Sequence, residues 1–252
     1  MEFYVIAIAI LGGFLAGVIN TLAGNGSAIT LSILTELIGL PGNVANGTNR
    51  VGVLAQGVSS TFSFVRRGKI KLDESRTLVI FTILGAIIGV WCAVNVTDDQ
   101  FRSVFKYLLV VMLVVTVINP KKWLHDYEEV RRFHPLIAIP IYLALGFYGG
   151  FIQMGMGVIF LIVTVLLMKY KIIEANAIKT IVVFAYTILV VVVFQLKGLI
   201  QWEIGLIIAV GQLAGGYVAA EFGSLYREAD LWAYRLLILV IITAILSLFD
   251  IF

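Results

Sequence analysis

The chain has 252 residues, of which 61% are hydrophobic and only 13% charged, with a formal net charge of +3. Soluble domains run at roughly 45–50% apolar and ~25% charged, so a water-soluble globular protein is excluded. Continuous apolar runs such as Leu108 to Ile118 and Ile181 to Phe194 exclude the alternating strands of a β-barrel and leave helices, which satisfy their own backbone in lipid.

The charge is too small, and too free of any basic tail, for nucleic acid. Cys92 is the single cysteine, so no intrachain disulfide forms, and its apolar surroundings suit a packed thiol. Met1-Glu2-Phe3 lacks the positive start of a signal peptide, so the first apolar segment is expected to be retained.

Apolar segments follow one another at about 3–23, 27–40, 44–65, 76–96, 101–118, 135–153, 156–168, 175–196, 203–221 and 232–250. The second and seventh are too short for a hydrocarbon core of about 30 Å and read as half-helices, re-entrant segments or buried spans. The order of features repeats. Gly13-Phe14-Leu15-Ala16-Gly17 matches Gly146-Phe147-Tyr148-Gly149-Gly150 at a spacing of 133, which also carries Asn20 onto Gln153 and Gly24 onto Gly157. After a three-residue slip the spacing is 130, carrying Ala45-Asn46 onto Ala175-Asn176, Phe64 onto Phe194, Arg67-Gly68 onto Lys197-Gly198 and Gly85 onto Gly215.

The expected architecture is therefore an all-α polytopic membrane protein of two repeats, 1–118 and 135–252, each of about five hydrophobic segments. A polar linker, 119–134, joins them. It holds both histidines, His125 and His134, nine apart and without a metal-ligand pattern. If all ten segments alternate, Lys and Arg outside them divide 13 to 3, with only Arg102, Lys106 and Lys197 on the poorer side. By the positive-inside rule the linker is then cytoplasmic and both termini are periplasmic. Five crossings per repeat if the short segments span, or three if they form re-entrant hairpins, are both odd and invert the second repeat against the first, as in secondary transporters.

Polar residues within apolar sequence fall at matching places. Asn20, Asn25 and Ser27 surround Gly24 and Gly26, and Gln153 precedes Gly155 and Gly157. These four glycines read as helix breaks, while Gly13, Gly17, Gly85, Gly89, Gly211 and Gly215 read as close helix packing. Asn46, Thr48, Asn49 and Arg50 near the start of the third segment match Asn176 and Lys179 near the start of the eighth. Two intramembrane cations either snorkel to the headgroups or converge on an anion between the repeats. Glu36 reads as an interfacial cap or the partner of Arg50, Glu221 as solvated, and Gln56 as a weaker lining residue. Nucleotide loops, nucleophile elbows and metal-protease motifs are absent, so neither enzymatic chemistry nor a metal or other cofactor is expected.

The Gly-rich first segment, the short second one ending at Leu40-Pro41, Asn46-Gly47-Thr48-Asn49-Arg50, the Arg66-Arg67-Gly68-Lys69 loop and the repeated second part resemble the TauE/SafE family of sulfite and organosulfonate exporters. The resemblance covers about 10–250. It implies export of a small sulfur-containing oxyanion across a bacterial inner membrane. The expected partners are that anion and the lipid bilayer, with a homodimer as a candidate assembly. A channel and a membrane scaffold are the competing classes.

Overall fold

The computed structural model describes residues 3–69, 72–94, 130, 133–151, 153–226 and 228–248. The expected segment at 101–118 and most of the 119–134 linker lie outside them. Every described element is helical. In chain order they are α1 (Phe3–Leu22), α2 (Ser27–Ser32) with a π turn Ile33–Leu37, α3 (Gly42–Arg66) and α4 (Leu72–Ala93). The rest are α5 (Pro135–Phe151), α6 (Met156–Leu161) with a π turn Ile162–Leu167, α7 (Ile172–Leu196), α8 (Trp202–Leu225) and α9 (Ala229–Leu248).

Four described stretches are long and apolar enough to cross a membrane: α1, residues 76–93 of α4, α7 and α8. This is a multi-pass membrane protein. α3 is as long as α7 and equally buried, but what it buries is far more polar. Its Thr48, Asn49, Arg50, Gln56, Ser60 and Ser63 are all buried, and only residues such as Val58, Phe62 and Val65 turn apolar surface outward. α2 with its π turn covers 11 residues, about 16 Å at helical rise, and cannot span a bilayer.

The same local geometry recurs at a spacing of 130. α3 and α7 begin at 42 and 172 and end at 66 and 196. Both stop in a Schellman cap around a left-handed glycine. Gly68 N–H donates to Val65 O and Lys69 N–H to Phe64 O, each at 3.0 Å, and Gly198 N–H to Gln195 O and Leu199 N–H to Phe194 O, again at 3.0 Å. Gly39 and Lys169 take up the same left-handed turn, with φ 78 and 69. The slip between the two spacings falls at the ends of α1 and α5: α1 continues five residues past Gly17, whereas α5 stops one residue past Gly150.

Glycine stripes set the packing. A Cβ on Gly13 or Gly17 would collide with the α8 backbone at Ile208 and Gln212, and one on Gly211 or Gly215 with α1 at Ile10 and Phe14. α4 and α5 meet in the same way, through Gly85 and Gly89 on one side and Gly146 and Gly150 on the other. The contact is therefore reciprocal: the first helix of each series lies against the fourth of the other. Lipid tails offer no hydrophobic drive between helices, so such backbone-close packing carries the association.

Candidate functional site

Where α1 and α5 end, the chain turns through left-handed glycines, Gly24 (φ 90) and Gly155 (φ 75), before the short helices begin. A side chain there would be strained. The two breaks meet. A Cβ on Gly24 would strike the backbone of Gly157 and Val158, and one on Gly157 would strike Gly24. Gly26 and Gly157 are not themselves left-handed; each is needed for close approach, Gly26 against Ala16 and Gly157 against Gly24.

A helix that ends inside a membrane leaves carbonyls without partners and the negative end of its dipole exposed. Each broken helix is closed by a cation from the other series. Lys179 on α7 donates to Thr21 O at 3.1 Å and to Asn176 Oδ1, while Asn176 Nδ2 donates to Leu22 O at 2.8 Å, which closes α1. Arg50 on α3 donates from Nη1 to Gly149 O at 3.0 Å and from Nη2 to Gly150 O at 3.3 Å, which closes α5. Phe194 lies under the guanidinium at 5.9 Å. With Arg50 0% and Lys179 2% exposed, neither cation snorkels. Glu36 is not the partner of Arg50: it is exposed, with its neighbour Thr35 donating to it. Glu221 is not merely solvated, for it accepts from Ser63 Oγ at 2.7 Å and pairs with Arg67, tying the end of α3 to the end of α8.

Beside the meeting point of the breaks lies a cavity of about 20 Å³, room for about one water. Asn20, Gly24, Val53, Gln56, Gln153, Met156, Gly157, Lys179, Thr180, Val183 and Tyr186 line it. Four pairs among these residues are related by the two spacings found in the sequence: Asn20 with Gln153 and Gly24 with Gly157 at 133, Val53 with Val183 and Gln56 with Tyr186 at 130. Gln56 Oε1, Gln153 Oε1, Thr180 Oγ1 and Tyr186 OH are buried without a hydrogen-bond partner. Buried polar atoms are nearly always paired with protein or water, so these four are available to a water or a polar ligand in the cavity. Gln153 sits at φ 59, rare for a residue with a side chain and the kind of backbone strain that gathers at functional positions.

Of the candidates expected from sequence, Asn20, Gln153 and Lys179 reach the cavity, with Gly24, Gly157 and the weaker candidate Gln56. Asn20 also anchors α2, its Oδ1 accepting from Ser27 N–H at 3.1 Å. Thr48 accepts from Gln201 N–H at 3.0 Å and so caps α8, and Asn49 Oδ1 accepts from Thr30 at 2.6 Å and Gln212 at 3.3 Å. Asn46 is half-buried off the cavity, Asn25 is buried with an unpartnered side chain, and Arg50, Asn176, Gly26 and Gly155 support the breaks outside the lining. Thr180, Val183 and Tyr186 on the largely apolar α7, Val53 on α3 and Met156 on α6 carry no local signal of a cavity, although carrying Val53 and Gln56 forward by 130 reaches Val183 and Tyr186.

Residues 9–248 match the family described as Sulfite exporter TauE/SafE. The chain belongs to the TauE/SafE family. Relatives include the probable membrane transporter protein ORF9 of Sinorhizobium sp., 27% identical over 99% of this chain and 95% of that one. A probable membrane transporter protein of Haemophilus influenzae is 26% identical over 86% of this chain and 84% of its own length. The probable membrane transporter protein YfcA of Escherichia coli K12 is 26% identical over 82% and 76%. No solved structure matches. As a TauE/SafE member the chain is a membrane transporter, and the site beside its broken helices is the place to look for what it carries.

Proposed function

We propose that this TauE/SafE protein is a secondary transporter that moves a small sulfur-containing oxyanion, such as sulfite or a sulfonate, across the bacterial inner membrane by alternating access. Its two inverted repeats, 1–118 and 135–252, move against each other about the cavity between their broken helices. The carrying observation is that cavity: it sits where the two breaks meet, matching positions of the two series line it, and Lys179 and four unpartnered polar atoms belong to it. Reciprocal packing of α1 on α8 and α5 on α4, with the recurrent caps, supports the repeat. Arg50 is a positioning residue in this reading, because it fastens α5 and does not reach the cavity.

Flux of radiolabelled sulfite into proteoliposomes tests the reading. Wild type should show saturable, trans-stimulated uptake, and Lys179→Ala should lose most of it. Arg50→Ala should weaken transport together with thermal stability, since two helix-end carbonyls lose their donors. Unchanged saturable flux in Lys179→Ala would remove the proposed site, and linear flux without trans-stimulation would make the protein a channel.

A further inference from the structure

Resting on that reading, we infer that the cavity selects a singly charged oxyanion and discriminates against doubly charged ones of the same size. The lining holds one cationic side chain, Lys179, and no carboxylate. The other nearby cation, Arg50, is outside the lining, with Nη1 and Nη2 on Gly149 O and Gly150 O and the Phe194 ring beside it, and only its Nε has no partner. Part of the Lys179 charge is itself spent on the end of α1 through Thr21 O. At most one positive charge therefore faces a bound anion. A second negative charge would be buried without compensation, and uncompensated buried charge is among the most costly arrangements a protein can hold.

The neutral groups fit the same ligand. Lys179 has three N–H donors and uses two, leaving one for the cavity. Thr180 Oγ1 and Tyr186 OH, 2% and 0% exposed by residue, have hydroxyl protons with no partner. Lys179 and Tyr186, seven residues apart, share one side of α7, and Thr180, about 100° round the helix from Lys179, borders the same cavity. Three donors from a single rigid element suit the oxygens of a compact tetrahedral or pyramidal anion. Gln56 and Gln153 line the same cavity, and their orphaned amide oxygens are acceptors. Acceptors repel anion oxygens unless their amides turn or the ligand carries a proton or an apolar substituent at that end. Among sulfur oxyanions each of those ligands is a monoanion: a protonated oxyanion such as hydrogen sulfite, or a sulfonate with its carbon group toward the amides. The cavity must widen beyond one water to admit either.

Methanesulfonate and sulfate separate charge from shape, since both are compact tetrahedral species and at neutral pH carry one and two negative charges. Binding of each to the purified full-length protein in detergent is measured by thermal-shift titration and calorimetry at fixed ionic strength. Methanesulfonate should bind at least tenfold more tightly than sulfate. Tyr186→Phe should weaken methanesulfonate binding severalfold without lowering the ligand-free melting temperature. Sulfate binding as tightly as methanesulfonate would overturn the charge selection and leave the transporter reading intact. Tyr186→Phe binding like wild type would overturn the donor assignment on α7. No binding of sulfite, methanesulfonate or sulfate, with no sulfite flux, would instead remove the anion reading beneath it.

Discussion

Lys179 and Arg50 show how an isolated side chain changes meaning once its neighbours are known. A buried cation in a membrane needs a partner, and the obvious candidates are an anion, a carboxylate or the headgroups. Here both cations face backbone carbonyls at broken helix ends, where the helix dipole provides the negative charge. The glycines at those ends differ in the same way. Gly24 and Gly39 both have left-handed backbones, but a Cβ on Gly39 meets nothing within 4 Å whereas one on Gly24 meets the Gly157 backbone. Gly39→Ala should therefore lose only the conformational strain, about 1–2 kcal/mol, and the presence of Lys169 at the matching turn agrees with that. Gly24→Ala should lose that amount and the cost of forcing the two breaks apart, seen as a clearly larger drop in melting temperature of the detergent-purified protein. Equal losses in the two variants would show that the breaks are not pressed together.

Among the elements, the contrast between α3 and α7 is the most informative. Both have 25 residues and end in the same cap, yet α3 buries serines, Gln56 and Asn49 while α7 is apolar along most of its length. Polar ties join α3 to α8 along its course: Thr48 to Gln201, Asn49 to Gln212, Ser59 to Leu213 O at 2.7 Å and Ser63 with Arg67 to Glu221. The last tie is at the end of the helices, partly open to water, where salt screens charge. Melting temperature should fall slightly as salt is raised in wild type, and Glu221→Gln should lower stability at low salt while abolishing that dependence. An unchanged salt dependence in Glu221→Gln would assign it to other charges.

For the whole molecule, the sign of each loop is the testable quantity. Arg66, Arg67 and Lys69 follow α3, and Lys197 follows α7 at the matching place. The proposed inverted repeats would put these two loops on opposite sides of the membrane, the first cytoplasmic and the second periplasmic. In a Cys92→Ser background, a cysteine replacing Lys197 should react with an impermeant maleimide added to intact cells, and one replacing Lys69 should react only after the cells are opened. Labelling of both from outside would exclude the inverted arrangement.

The sequence by itself determined that the chain lives in a bilayer, where its helices start and stop, and that its features return at spacings of 133 and 130. Hydropathy, glycine and helix caps act within a turn or two of chain, so composition alone reveals them. The same local logic placed Asn20, Gln153 and Lys179 among the site candidates. It could not assign Arg50 to the end of α5, Glu221 to Arg67, or Tyr186 to the same cavity as Gln56, because those partners are 99 or more residues apart in the chain. Only the tertiary structure decided them: each broken helix is closed by the other series, and packing, not sequence neighbourhood, chooses which polar groups are paired and which are left facing the cavity.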